Sequence, residues 1–453
     1  MKSKILPVLA FLVIIVFTSN SAYSQWTIAG AVSGAGTFPS VSVVDQNNVW
    51  VAGGTNTATI FRTTNGGTTW LSVPTTGIPM DVFCVWAVDA NTAYVGDGGA
   101  PGGAGGNASF YKTTNAGVNW TTVASTGGSA GFFNGIVFSK TNPMFGVAQS
   151  DPPTGTGQAY YLSITTNGGL NWNPASPQPP GLSGSASAQN SVVVIDNMFY
   201  GFGGNALPSR AYLTSNGGTS WFTGTLAGLA GGFVSGLAFS SDKQYGIAAT
   251  SASLPSIART TDGGLTWTTV NIGSGFSGYC TCKWIEGTNT CYISAATGAA
   301  GVVKKSTDRG ATWTTMTTSG LTGITHMEFK KVGTTVYGFA ATSNGAMLKV
   351  VDIVTGVNST NSLIPSEFVL EQNYPNPFNP TTTINFSIPF ASNVSIKVYN
   401  ALGKEVSDLV NEFKNPGNYS VDFTAGSDLS SGIYYYTLKA DNFVQTKKLM
   451  LVK

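Results

Sequence analysis

The sequence predicts an all-β fold built from repeats, on three observations. Only 9% of its 453 residues are Asp, Glu, Lys or Arg, against roughly 25% in an average soluble domain. It carries 57 Gly and 20 Pro, yet 42% of it is apolar, enough for a large core. And one eight-residue pattern ending in Trp recurs six times, with Trp-to-Trp spacings of 50, 52, 49, 46 and 46. The same numbers exclude other classes. A disordered chain is poor in apolar residues and usually rich in charge. A nucleic-acid binder carries a basic stripe, whereas here 22 Lys and Arg face 20 Asp and Glu. A long coiled coil needs a seven-residue period rich in Ala, Glu, Lys and Leu.

In chain order, the first element is an address. Lys2 and Lys4 precede the apolar run from Ile5 to Phe17, and Ala22-Tyr23-Ser24 places small residues at the −3 and −1 positions before Gln25. This predicts a secretory signal peptide over 1–24. The run is shorter than the ~20 residues a membrane helix needs, so the mature chain is expected to hold no transmembrane segment. No cysteine lies near the cut, which argues against a lipid anchor.

The repeats follow, over 25–357. The pattern occupies Thr63–Trp70, Thr113–Trp120, Thr165–Trp172, Thr214–Trp221, Thr260–Trp267 and Ser306–Trp313. In step with it, an apolar strand ends in a polar turn and an aromatic-led strand follows. The aromatic positions are Trp50, Tyr94, Phe145, Tyr200, Tyr245, Tyr292 and Tyr337, which makes seven units. A decayed seventh box is expected at Lys349–Asp352. Each unit accommodates about four short strands. Four-stranded units of this length, repeated, predict the blades of a seven-bladed β-propeller. Trp26-Thr27-Ile28 resembles the strand after each box and is expected to complete the last blade, removing an exposed sheet edge.

The boxes are turns first. The side-chain oxygen of Asn65, Asn115, Asn167, Asn216, Asp262 or Asp308 accepts bonds from nearby backbone N–H groups, and Gly tolerates positive φ. Asn in four of the six keeps the acceptor and drops the charge, which a catalytic or metal carboxylate would rarely survive. The element resembles the Asp-box of the bacterial-neuraminidase repeat. That family includes sialidases, xyloglucan-degrading glycosidases, sortilin-type receptors and a photosystem II assembly factor. The form here is most similar to the last group and to the xyloglucanase group. The resemblance implies a fold and leaves the activity open, because one scaffold hosts many functions.

A polar linker is expected over 358–366, then a small Ig-like β-sandwich over 367–453. Alternation in Ile384/Phe386/Ile388, Val394/Ile396/Val398 and Tyr419/Val421/Phe423 argues for short antiparallel strands. The segments Tyr374–Pro380, Val398–Gly403 and Leu429–Tyr434, with the lysine-bearing end Lys447–Lys453, closely resemble the type A C-terminal sorting domain of the type IX (Por) secretion system. The resemblance implies a Gram-negative bacterium and export through the periplasm to the outer surface or beyond. It also implies two partners, the type IX machinery and a sortase-like peptidase that removes the domain.

Chemistry is sparse. A sialidase needs three converging arginines. The chain has four, Arg62, Arg210, Arg259 and Arg309, and three of them sit at or beside boxes. A glycosidase needs two carboxylates about 5–10 Å apart. Setting aside turn and box acids, Asp81, Asp97, Asp151, Glu286 and Glu328 remain. Asp97 and Asp151 follow the second strands of their units in the long insertions Gly96–Asn107 and Ser150–Gln158. These loops, with the Pro-rich stretch Asn173–Gly181, are expected on one side of the face opposite the boxes. They supply the candidate binding residues Asp97, Asn107, Asp151 and Gln158. His326, the single histidine, reads as core or tunnel packing. Cys280, Cys282 and Cys291 share one hairpin. They lack a fourth ligand for zinc, and export makes a Cys282–Cys291 disulfide the expected pairing. No metal or cofactor motif is present. The expected function is non-catalytic binding of a glycan or protein at or outside the cell surface. The alternatives are a polysaccharide hydrolase using Asp97 and Asp151, and an assembly factor for an envelope complex.

Overall fold

The computed structural model describes residues 25–354 and 368–453, apart from 37–38, 55, 104, 156, 182–185, 206–208, 227–228, 230–231, 252–256, 273–278, 296–301, 317–322, 389–391, 415–416 and 441–442. The expected signal peptide and linker lie outside the described residues. The chain divides into two compact units, Met1–Val357 and Asn358–Lys453.

Among the described residues, the first unit holds seven antiparallel sheets, six of them running outward in sequence order. Blades 1 to 3 cover Ser40–Val73, Val82–Ser125 and Phe133–Pro174. Blades 4 to 6 cover Ala186–Thr225, Val234–Thr269 and Cys280–Met316. Blade 7 takes three strands from Ile324–Ile353, and its outermost strand is Thr27–Ala31 from the other end of the unit, with Thr27 opposite Lys349 and Ile28 opposite Leu348. The innermost strands touch in blade order, and that of blade 7 touches that of blade 1, so the sheets form a closed ring. The β-propeller is thus sealed by its N-terminal strand.

Side chains join each blade to the next. In blades 1, 2, 5 and 6 the third strand carries a cation over the aromatic residue that leads the second: Arg62 lies 5.7 Å from the Trp50 ring and Lys112 5.3 Å from the Tyr94 ring. The cation then reaches into the following blade. Lys112 Nζ donates to Gly169 O (3.2 Å), Arg259 Nε to Arg309 O (2.7 Å), and Lys349 Nζ to Gly66 O (3.2 Å) across the closing seam. Three of the four arginines make seam contacts, Arg62 to Ala90 O, Arg259 to Arg309 O, and Arg309 over the Tyr245 ring of blade 5 (4.3 Å), so they do not converge on a substrate carboxylate.

Asp352 differs from the expected decayed box. It lies inside the strand Ala346–Ile353, opposite Val336. There it accepts the Tyr292 hydroxyl and pairs with Lys305 of blade 6 (2.7 Å). The strand runs straight on here, because the Gly that would turn it is missing.

In the second unit, Val369–Leu370, Thr381–Ile388 and Gly417–Thr424 form one sheet. Glu405–Lys414, Ser392–Asn400, Gly432–Ala440 and Phe443–Leu451 form the other. Ile384, Phe386 and Phe423 from the first sheet and Val394, Ile396, Tyr436, Leu438 and Leu449 from the second share one buried core. That is the period-two alternation of a sandwich.

Candidate functional site

The box turns explain themselves by local bonding. In the first, Thr63 Oγ1 donates to Asn65 Oδ1 (2.9 Å) and accepts from Gly67 N (3.0 Å), while Asn65 Oδ1 also accepts from Thr69 N (3.0 Å). The same bonds recur at Asn115, Asn167, Asn216, Asp262 and Asp308. Burial opposes ionisation of Asp262 and Asp308, but the hydroxyl and amide donors win and hold both below the usual carboxylate range. The box glycine also sits at a seam: a Cβ on Gly169 would lie 2.0 Å from Tyr94 Oη of blade 2.

The register places these turns and the turns between first and second strands at one end of every blade, since Val49 pairs with both Val43 and Thr63. Loops between second and third strands lie at the other end. That loop end is crowded over blades 2 and 3. Gly131 N donates to Gly106 O (2.8 Å), and Ser129 N and Ala130 N both donate to Pro153 O (2.9 and 3.0 Å). The blade 2 loop, the connection to blade 3 and the blade 3 loop are thereby stitched together. The Pro-rich stretch joins them, Pro179 O accepting from Tyr160 N (3.0 Å).

The carboxylates within that platform are occupied. Asp97 is 2% exposed and accepts from Ser109 N (2.8 Å), Gly99 N (3.0 Å) and the Tyr111 hydroxyl (2.7 Å), all within blade 2. Burial pushes its pKa up, and these donors restrain the rise. Asp151 accepts from Asn134 Nδ2 (2.8 Å) and from Ser187 N of blade 4 (2.6 Å), tying blade 3 to its neighbour. Burial outweighs those donors and lifts its pKa to about 6. The two acids share no partner. Asn107 is exposed and accepts from Gly127 N (2.8 Å). Gln158 is exposed, and its backbone N donates to Gly155 O (3.3 Å).

The ring axis is closed at the loop end. The first strand of blade 4 is broken into Ala186–Ser187 and Val193–Val194. The segment between crosses the axis: Asn190 N donates to Asn134 O of blade 3 (2.7 Å), and Asn190 Oδ1 accepts from Ser40 Oγ of blade 1 (2.8 Å). Asn190 turns with φ of 59°, a left-handed conformation that Asn tolerates better than most residues. Nearby, His326 Nδ1 accepts from Val41 N (2.8 Å), while its buried Nε2 has no hydrogen-bond partner among the described residues. Burial, then Lys283, pushes its pKa down to about 3, so the ring is neutral.

At the box-turn end the axis opens into a cavity of about 180 Å³ with a second lobe of about 90 Å³. Between them the lobes take lining residues from all seven blades, and both include Trp86, Lys140, Trp284, Glu286 and Glu328. Glu328 of blade 7 is buried, with Oε1 2.9 Å from Lys140 Nζ of blade 3 and Oε2 2.8 Å from Lys283 Nζ of blade 6. Lys140 therefore spans the axis. Burial alone would raise the Glu328 pKa, but the two ammonium groups override it and hold the carboxyl well below the usual range.

The hairpin cysteines do not form the expected bridge. All four cysteines are buried free thiols. Cys282 stands opposite Ile293 and Cys291 opposite Trp284, so the pair is diagonal across the ladder. Burial lifts the Cys84 and Cys280 thiols to about 12, which leaves them little thiolate for redox or metal chemistry.

Known proteins fit this architecture. Among solved structures, the chain is similar to YCF48 bound to a D1 peptide, at 18% identity over 74% of this chain and 98% of that one, TM-score 0.49. It is similar to an ancestral GH74 enzyme at 14% identity, TM-score 0.52, covering 95% of this chain and 64% of the enzyme's. A third similarity is to Saccharomyces cerevisiae Sqt1, at 10% identity over 73% of this chain and 99% of that one, TM-score 0.47. At such identities the likeness is one of fold, and the protein is of the β-propeller class. No curated protein matches it in sequence. Residues 372–453 match the secretion system C-terminal sorting domain. The protein is accordingly exported by type IX secretion to the surface or surroundings of a Gram-negative bacterium.

Proposed function

We propose that the exported propeller is a non-catalytic binding protein whose ligand is a glycan met outside the cell. The observation that carries this reading is the state of the acids. Hydrolysis of a glycosidic bond takes two carboxyl groups facing one substrate space at about 5–10 Å. Here Asp97 is held by three donors inside blade 2, Asp151 by two donors across the blade 3–4 seam, and Glu328 by two lysines on the axis. Each is already the partner of a structural group. A propeller supplies what a binder needs instead: a rigid ring with an open mouth at one end and loops at the other.

Affinity electrophoresis of the full-length chain through gels containing a panel of polysaccharides tests this, with chromatography for released oligosaccharides. The expected result is retardation by at least one polysaccharide, no released products, and unchanged retardation for Asp97→Asn and Asp151→Asn. Products that disappear in either variant would establish hydrolysis instead. A chain retarded by no polysaccharide would end the glycan reading.

A further inference from the structure

We propose that the axial cavity at the box-turn end is the binding site, and that it takes a saccharide carrying a carboxylate, a uronic acid residue. This rests on the binding reading above and specifies its site and ligand class.

Size comes first. The larger lobe, about 180 Å³, exceeds the ~150 Å³ cavity that accommodates a benzene ring, so it holds one six-membered ring. Its shape is blind, because the Asn190 segment closes the axis beyond it. A peptide strand would want a long groove or a free sheet edge, and neither is found in this cup. The lining pairs aromatic faces with charge. Trp86 is half-buried and Trp284 is 8% exposed, and both line the two lobes. An aromatic face packs against the apolar C–H side of a pyranose, while its hydroxyls keep polar partners.

Charge then selects the ligand. Lys140, Lys283, Lys330 and Lys331 line the two lobes, against the carboxylates Glu286 and Glu328, so the mouth carries an excess of positive charge in a chain that is otherwise nearly neutral. Lys140 donates to Glu328 Oε1 and to Phe329 O, which uses two of its three ammonium protons. Its side chain is 37% exposed and lines both lobes, which leaves the third proton for a ligand in the mouth. Glu328 stays ionised and holds the two lysines in place, and an arriving carboxylate completes the coordination of Lys140. No covalent step is involved.

Isothermal titration of the full-length chain with oligogalacturonate, and with the same oligomer after methyl esterification, tests the proposal. One charge-assisted bond in a desolvated site corresponds to at least tenfold in affinity. Esterification and Lys140→Met are each expected to weaken binding about tenfold or more, and Trp86→Ala likewise. Asp97→Asn should leave binding unchanged. Thermal unfolding of each variant shows whether it is folded, and Lys330→Met gives a rim variant with no buried partner to lose. Equal binding of acid and ester, or full binding by Lys140→Met and Trp86→Ala together, would overturn the uronate site. If a neutral polysaccharide still retards the chain in that case, the wider binding reading stands. Binding of a peptide and of no saccharide would overturn both.

Discussion

The two ends of the propeller are built by different rules. At the box-turn end, six near-identical turns repeat around the ring, each closed by bonds reaching no further than four residues. At the loop end, the bonds among the described residues do not repeat from blade to blade. Asp151 ties blade 3 to blade 4, and Asn190 crosses the axis to Ser40. The regular end surrounds an open mouth, and the irregular end is knitted shut. Long, variable loops thus need not mark the ligand site, because here they serve as the closure.

The largest test of this contrast is at the regular end. Gly169→Ala forces a side chain onto a backbone with φ of +82° and into Tyr94 Oη at 2.0 Å. Strain and overpacking each cost about 1–3 kcal/mol, so a loss of roughly 4 kcal/mol is expected in urea unfolding. A near-neutral result would mean the seam is loose.

At the irregular end, Asp151 gives a pH signature. Its pKa rises from 3.8 unfolded to about 6 folded, so the folded state binds the proton more tightly. Ionised Asp151 therefore lowers stability above pH 6, and that penalty fades as the pH falls toward 4. Asp151→Asn keeps the acceptor without the charge. It should be more stable than the parent at pH 7, by on the order of 3 kcal/mol, with the gap closing near pH 4. His326, held neutral with its pKa near 3, acts with the opposite sign in both proteins: its contribution is present above about pH 6.5 and fades below it. A gap independent of pH would contradict the assignment.

Asn190→Ala removes the acceptor for Ser40 and leaves a non-Gly residue at positive φ. A loss of about 1–2 kcal/mol is expected, with Asn190→Gly losing less. The smallest effect is at Ala116, which takes φ of +61° where four of the six boxes have Gly. Ala116→Gly should stabilise the chain by up to about 1 kcal/mol. Destabilisation would show that the box tolerates left-handed Ala without strain.

What could be read from the sequence follows the same division. The boxes were legible because Thr63, Asn65, Gly67 and Trp70 interact locally, so their chemistry survives as a pattern. The closing strand at Trp26–Ile28 was legible because it repeats the strand after each box. The mouth was not, since Lys140, Lys283 and Glu328 come from three blades and meet only when the ring closes. Asp97 and Asp151 were located at loop starts, but their donors Tyr111, Asn134 and Ser187 carry no pattern. The hairpin cysteines were read as a pair because register is invisible in composition: Cys282 faces Ile293. Lys349–Asp352 was aligned as a box by spacing alone, whereas pairing puts Asp352 inside a strand.

A site on the axis requires that ligand enter at the box-turn end. Hydrogen–deuterium exchange of the full-length chain, with and without a polysaccharide that retards it, tests this most directly. Protection is expected at the turns around Trp86–Thr92, Lys140–Phe145, Trp284–Thr290 and Phe329–Thr335, with the loops 98–106 and 151–158 unchanged. Protection confined to those two loops would contradict it.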